Sequence, residues 1–272
     1  MGAETVDLTH GALVGVLNVT SDSFSDGGEY LDPDKAVAHG LQMIADGAAL
    51  VDVGGESTRP GAQPVAADLE MSRVMPVVQG LVAEGVVVSI DTSKPQVAAE
   101  ALAAGVDVVN DVGGLTNPGM VAVVRGWECG VVIMHKKGDA VDHYAHAGYR
   151  DVVVEVEDFL ITQVERVVMA GVDRRRIVID PGIGFGKRAH DSISLLANVG
   201  RLSGHGVPVM VGTSRKRFLG TVSGDDTIKG RDGLTAVTTA LAYACGARLF
   251  RVHDVARSRD ALRLAAAIVA DQ

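Results

Sequence analysis

The feature that most constrains this chain is a set of eight short apolar runs, each of which carries or ends on a polar residue. They begin with Leu13 to Leu17 before Asn18, Ala49 to Val53 around Asp52, Val86 to Ile90 before Asp91 and Val106 to Val109 before Asn110. They continue with Val131 to Met134 before His135, Ile177 to Ile179 before Asp180, and Val207 to Val211 leading to Ser214 and Lys216. The last, Arg248 to Val252, carries Arg251 and closes on His253. Continuous β-branched runs suit strands buried on both faces, as in a parallel sheet covered by helices. Eight of them alternating with helical segments predict a (β/α)8 TIM barrel, whose chemistry sits at the C-terminal ends of its strands. The polar endings would then converge on one pocket.

The intervening segments carry the helical signal. From Pro33 to Gly47, apolar residues at Ala36, Val37, Leu41 and Ile44 keep a helical spacing, with Asp32 placed to cap the helix ahead of Pro33. Further helices are expected at about Ala66 to Ala83, Pro95 to Ala104, Pro118 to Trp127, Val152 to Ala170, Asp191 to Leu202, Asp232 to Cys245 and Ser258 to Ala270. Gly85, Gly105, Gly171 and Gly246 sit where helix C-termini commonly take a glycine. Without repeat or linker, 272 residues read as one domain, residues 1–272. Two connections, Asn18 to Leu31 and Gly54 to Pro64, are too long and too rich in Gly, Ser and Asp to be simple turns. Both leave strand C-termini, so they are expected to lie as flexible loops over the active site. Arg174, Arg175 and Arg176 read as a solvated turn on the opposite face.

Composition narrows the function classes. A hydrophobic share of 47% can fill a large core, and Cys129 and Cys245 read as small core residues rather than a disulfide. Met1 to His10 lacks the basic start and apolar block of a signal peptide, and no run approaches the roughly 20 apolar residues of a membrane span. A cytoplasmic protein without a membrane partner is the expectation. A formal charge of −9 disfavours nucleic acid. Positive charge is nonetheless gathered in Ser214 to Arg217 and around Arg251 and His253, which suits a small anionic ligand. The segment Leu234 to Cys245 offers almost no charged face, which predicts a homodimer interface.

Carboxylates ending buried strands need donors or must give up their charge. Asp91 and Asp180 would find donors in a nitrogen heterocycle with adjacent N–H and NH2 groups. Asn110 adds a donor and an acceptor and Lys216 a cationic donor, so the four together suit the edge of a pterin or purine-like ring. Asn18, Arg251 and His253 suit phosphate or pyrophosphate. Mg2+ fits there, with Asn18 as a phosphate or metal ligand, because it keeps waters and binds through few protein oxygens plus substrate phosphates. Gly182 to Lys187 matches neither the P-loop nor the dinucleotide spacing and reads as a turn that lets Phe185 fold beside the pocket. His135, His143, His146 and His253 lack zinc-ligand spacing, and His143 to His146 reads as an exposed loop.

These residues lie in blocks that resemble the dihydropteroate synthases, the folate-pathway family inhibited by sulfonamides. The blocks are GVLNVTSDSFSDGG (15–28), DVGGESTRPGA (52–62), SIDTSKP (89–95), NDVGG (110–114), IMH (133–135), DPGIGFGK (180–187), GTSRKRFLG (212–220) and RVHDV (251–255). The resemblance implies a dimeric barrel that condenses 6-hydroxymethyl-7,8-dihydropterin pyrophosphate with p-aminobenzoate by an SN1-like route. It implies that Asp91, Asn110, Asp180 and Lys216 hold the pterin, with Met134, Gly212 and Phe185 along its faces. Asn18, Arg251 and His253 would hold pyrophosphate and Mg2+, while Phe24, Thr58, Arg59, Pro60 and Lys216 would shape the p-aminobenzoate side. The catalytic burden would fall on Asp91, Lys216, Arg251 and His253. Ser21 stands where the family commonly has Pro, and Lys136 and Lys137 also depart from its usual residues. A methyltetrahydrofolate corrinoid methyltransferase shares the fold but does not need the Ser57 to Pro60, Ser214 to Lys216 and Arg251 to His253 blocks. A noncatalytic pterin-binding paralogue would not need Asn18, Arg59, Lys216, Arg251 and His253 together.

Overall fold

The computed structural model describes residues 5–20, 32–57, 62–138, 148–225 and 227–271. Its eight strands are β1 (Ala12–Asn18), β2 (Leu50–Gly54), β3 (Val88–Asp91), β4 (Val108–Asp111), β5 (Gly130–Met134), β6 (Ile177–Asp180), β7 (Met210–Val211) and β8 (Leu249–Val252). The helices that follow them are α1 (Pro33–Ala45), α2 (Ala67–Ala83), α3 (Pro95–Ala103), α4 (Pro118–Arg125) and α5 (Val152–Met169). The second half adds α6 (Ala189–Ala197), α7 (Val199–Ser203), α8 (Arg217–Ser223), α9 (Ile228–Ala244) and α10 (Val255–Ala270).

All strand pairs are parallel, in the order β6-β5-β4-β3-β2-β1-β8-β7. A parallel bridge between Ile179 and Val209, with Ile179 N donating to Pro208 O at 3.0 Å, brings β6 to β7 and nearly closes the (β/α)8 barrel. The seam is thin because β7 covers only Met210 and Val211 of the expected run. Pro208 has no N–H to offer the ladder.

The two faces of the sheet bury different things. Val51, Val53, Val88 and Ile90 are fully enclosed in the shell between sheet and helices. Val14, Leu50, Val132, Met210 and Leu249 form a smaller interior cluster, against which Val6 and Leu8 pack from the segment preceding β1. The lower interior is therefore an apolar plug, which leaves the opposite mouth for polar side chains.

Local chemistry explains the element ends. Asp32 accepts from Asp34 N at 3.1 Å with Pro33 opening α1, the expected cap. Gly85, Gly105, Gly171 and Gly246 end helices at φ between +73° and +102°. The single helix expected from Asp191 to Leu202 is broken at Asn198, which separates α6 from α7. Thr227 and Asp254 cap α9 and α10 earlier than periodicity suggested, by accepting from Gly230 N and Arg257 N, each at 3.1 Å. Helix α8 was not expected. The arginine turn folds as a 3-10 segment, Arg174–Arg176, with the Arg175 side chain 89% exposed beside Asp173. Cys129 is buried as expected, but Cys245 is exposed, because it is the cap residue at the outer end of α9. The His143 to His146 segment lies outside the described residues.

Candidate active site

Strand register lines up the mouth. Asn18 pairs with Gly54, Gly54 with Asp91, and Asp91 with Asn110, so four neighbouring strands end in one layer. Gly54 leaves room there: a Cβ on it would lie 3.5 Å from Asp91 Cβ and 3.7 Å from Asn18 Oδ1. From β8, Arg251 reaches across, its Nε donating to Asp52 Oδ2 and its NH2 to Asp91 Oδ2, both at 2.6 Å. Asp52 also accepts from Ser89 Oγ at 2.6 Å through Oδ1 and from Asn110 Nδ2 at 3.0 Å through Oδ2. Asp52 is completely enclosed, and Asn110 Oδ1 is buried without a hydrogen-bond partner among the described residues.

The other half of the mouth is built by the loops after β5, β6 and β7. Asp180 accepts from Gly182 N at 2.7 Å. A Cβ on Gly212 would lie 3.7 Å from Arg251 Cβ and 3.9 Å from Asp180 Oδ2, which places that glycine between the two. Lys216 Nζ lies 3.8 Å above the centre of the Phe185 ring, a cation–π contact. Phe185 gets there through a turn in which Gly182, Gly184 and Gly186 all have positive φ. Met134 is buried at the end of β5, opposite Asp180. His253 is held by Ser214, whose Oγ lies 2.8 Å from Nδ1 and accepts the His253 backbone N–H at 3.1 Å.

Two supporting clusters escaped sequence reasoning. Lys187 is buried, with Nζ bonded to His135 O at 3.2 Å, Phe185 O at 3.0 Å and His135 Nδ1 at 2.9 Å, tying the β5 and β6 loops together. Lys94 Nζ bridges Glu56 and the buried Glu70, and Glu56 also accepts from Val65 N at 3.1 Å, which links the two sides of the second long connection. Asp52 was visible only as a charge inside an apolar run, and Lys187 only as the end of a glycine turn.

Burial sets the electrostatics. It pushes the Asp91 carboxyl up to about 7 against the pull of Arg251, with Asp52 adding to the rise. Asp180 is raised for the same reason, opposed by the Gly182 N–H and Lys216. Burial, helped by Arg251, lowers the Lys216 ammonium to about 8. For Arg251, burial works against the charge but Asp52 and Asp91 outweigh it, so the guanidinium is held above its ordinary range. Burial and Lys187 drop His135 to about 3, and its Nδ1 lies 2.9 Å from Lys187 Nζ.

Asn18, Asp91, Asn110, Asp180, Lys216 and Arg251 are thus brought to one mouth, with Phe185, Met134 and Gly212 beside it and His253 at the edge held by Ser214. Phe24, Thr58, Arg59 and Pro60, together with Ser21, lie outside the described residues. Lys136 is exposed and Lys137 donates to Gly148 O at 2.6 Å; neither displaces one of these groups. Among the described residues no group of three or more His, Cys, Asp or Glu side chains could hold a metal on its own. The Asn18 amide oxygen beside Asp91 is the hard donor that fits a Mg2+ ion carried largely by phosphate and water.

The family model described as pterin binding enzyme matches residues 14–253. The chain is 50% identical over 264 residues to the dihydropteroate synthase of Mycobacterium leprae, covering 94% of this chain and 92% of that one. It is 38% identical over 261 residues to the Escherichia coli dihydropteroate synthase, covering 96% and 92%. Among solved structures, the Xanthomonas albilineans dihydropteroate synthase with 4-aminobenzoic acid superposes with a TM-score of 0.90 at 45% identity, covering 96% of this chain and 94% of that one. The Yersinia pestis dihydropteroate synthase with a sulfonamide drug complex gives 0.94 at 36% identity, covering 98% and 97%. A barrel whose mouth joins buried carboxylates, an amide and an arginine, matched over nearly its whole length by these proteins, belongs to the pterin-binding enzymes and, within them, to the dihydropteroate synthase family.

Proposed function

We propose that the chain, as one pterin-binding domain, condenses 6-hydroxymethyl-7,8-dihydropterin pyrophosphate with p-aminobenzoate to give 7,8-dihydropteroate and pyrophosphate in folate biosynthesis. The observation that carries this reading is Arg251 bonded at once to Asp52 and Asp91, which puts an anion-binding guanidinium within one hydrogen bond of the ring-reading Asp91. In keeping with it, solved structures of the Xanthomonas albilineans synthase hold 4-aminobenzoic acid and 7,8-dihydropteroate.

In this reading Asp91 and Asp180 accept from the ring N–H and NH2 groups, Asn110 adds an acceptor and Lys216 a donor. Met134, Phe185 and Gly212 flank the ring. Arg251 and His253 take the diphosphate, so the Arg251 bond to Asp91 is exchanged for one to phosphate as Asp91 turns to the ring. Breaking the C–O bond leaves positive charge on the methylene carbon, spread into the ring, while the electron pair departs on pyrophosphate. The buried Asp91 carboxylate favours that cation and Arg251 the leaving anion, the preorganised electrostatics that commonly dominate catalysis. The arylamine nitrogen then gives its lone pair to the methylene carbon to form the new C–N bond, and the proton it sheds passes to pyrophosphate or water. The family resemblance assigns Phe24, Thr58, Arg59 and Pro60 to p-aminobenzoate, and exclusion of water protects the cation from capture. Mg2+ held through Asn18 would neutralise part of the diphosphate charge.

The protein is read as a cytoplasmic homodimer, joined through the apolar outer face of α9 and α10. No helix among the described residues is long and apolar enough to cross a membrane.

Purified protein with Mg2+, the pterin diphosphate and labelled p-aminobenzoate should release dihydropteroate and pyrophosphate; absence of both products rejects the synthase reading. Asp91→Ala and Lys216→Ala should each lower turnover by about two to three orders of magnitude. Arg175→Ala, on the far face, should leave it unchanged.

A further inference from the structure

We propose that Asp52 is a positioning residue that aims Asn110 at the pterin ring and Arg251 at the diphosphate simultaneously; the inference rests on the synthase reading above. Asp52 lies within β2, two residues below the rim, and is completely enclosed. Both its oxygens are engaged: Oδ1 by the Ser89 hydroxyl, Oδ2 by Asn110 Nδ2 and Arg251 Nε. It therefore acts on the ligand through its neighbours.

The orientation of Asn110 follows from the chemistry of the carboxylate. An ionised carboxylate only accepts hydrogen bonds, so the amide must turn its NH2 toward Asp52. The planar amide then directs Oδ1 the other way, and that atom is buried with no partner among the described residues. A buried acceptor left unpaired is costly. A ring N–H would satisfy it. If the amide flipped, two donors would face each other at the ring and the carboxylate would face an oxygen.

The same Oδ2 fixes the plane of the arginine by holding Nε, while NH2 rests on Asp91. When Asp91 turns to the ring, Arg251 gives up the NH2 bond yet keeps the Nε bond. The guanidinium therefore stays aimed while a terminal nitrogen passes from Asp91 to phosphate. One enclosed carboxylate links the reading of the ring to the grip on the leaving group.

The test is calorimetric titration of the parent, Asp52→Asn and the exchange variant Asp52→Asn/Asn110→Asp, with 6-hydroxymethylpterin and with Mg2+-pyrophosphate as separate probes. The KM for p-aminobenzoate and the unfolding midpoint are measured alongside. Asp52→Asn is expected to weaken both probes by about tenfold or more, the loss of one charge-assisted hydrogen bond on each side, with KM for p-aminobenzoate unchanged. In the exchange variant the carboxylate at position 110 accepts both from the amide at position 52 and from the ring, so ring affinity returns. Pyrophosphate stays weak, because an amide NH2 then faces Arg251 Nε.

A merely structural role for Asp52 would lower the affinities for ring, pyrophosphate and p-aminobenzoate together and would not split the first two in the exchange variant; that pattern overturns the proposal. So does an Asp52→Asn protein that binds both probes like the parent. Should Asp52→Asn not fold, Ser89→Ala, which removes only the hydroxyl holding Oδ1, is expected to weaken both probes by about threefold, the low end for one hydrogen bond. Unaltered binding in that variant overturns the proposal equally. A parent that makes no dihydropteroate rejects the synthase reading, whereas an active parent whose Asp52 variants bind normally rejects the positioning role alone.

Discussion

Burial moves Asp91 up to about 7 and Lys216 down to about 8, so the two titrate within a narrow interval around neutrality. Reading the ring requires Asp91 ionised, to accept, and Lys216 protonated, to donate. Below about 7 Asp91 gains a proton and loses an acceptor; above about 8 Lys216 loses its charge and a donor. The kcat/KM for the pterin diphosphate, which reports the free enzyme, should therefore rise through the first value and fall past the second. Lys216→Arg, whose guanidinium keeps its charge, should remove the alkaline fall even where overall activity is lower. A profile flat between about pH 6 and 9 would remove Asp91 and Lys216 from the ring-binding set, since one titratable group of each kind is required. At this scale legibility depended on place in the strand. Asp91, Asn110 and Asp180 end apolar runs and announce themselves. Asp52 sits inside one, and its meaning comes from Ser89, Asn110 and Arg251, which are 37, 58 and 199 residues away. Lys187 likewise owes its role to His135, 52 residues earlier, and nothing in the local pattern links them.

Elements meet where the loops after β5 and β6 are locked together, and glycine makes that contact possible. Gly182 has φ +65°, and a Cβ there would lie 1.9 Å from His135 O. Backbone cannot yield as a flexible side chain does, so Gly182→Ala adds overpacking to left-handed strain. The substitution should cost more than about 2 kcal/mol in denaturant unfolding. It should also weaken ring binding, because Phe185, on which Lys216 of the β7 loop stacks, rides on the same turn. Gly206→Ala supplies the control: φ is +71° but a Cβ would meet nothing within 4 Å, so only the conformational strain remains. Its cost should be about 1–2 kcal/mol, with ring binding intact. Equal losses for the two variants would mean the β5–β6 contact does not constrain the turn. Elements were read most surely where periodicity ran long, as for α1, α2 and α5. The short ones escaped: β7 is trimmed beside Pro208, α8 is seven residues without an amphipathic period, and α6 and α7 part at a single residue, Asn198. Each was decided by capping or by a missing donor, which a periodic pattern does not register.

For the molecule as a whole, the distribution of apolar surface bears on the proposed dimer. Val237 and Leu241 on α9 and Leu264 and Ile268 on α10 are each more than half exposed, and the two helices pack against each other. Large apolar residues gathered on adjoining helices mark an interaction surface more often than single scattered ones do. A two-fold dimer pairs such a surface with itself. The position is consequential, because the β7 loop, source of Lys216, leads through α8 into α9, and β8, source of Arg251, leads into α10. Helix α9 is tied to that loop by Thr213 with Thr238, Oγ1 to Oγ1 at 2.7 Å, and by Arg215 Nε with Asp232 Oδ1 at 2.7 Å. A partner packed on α9 would steady the backbone that presents Lys216. Sedimentation at micromolar concentration should give a dimer for the parent and a monomer for Leu241→Asp/Leu264→Asp, with unchanged helical circular dichroism. The monomer should keep activity at a reduced kcat/KM for the pterin diphosphate, because its residues are complete but its β7 loop is less restrained. A parent that sediments as a monomer, or a double variant that remains dimeric, would place the interface elsewhere and detach oligomerisation from the restraint of Lys216.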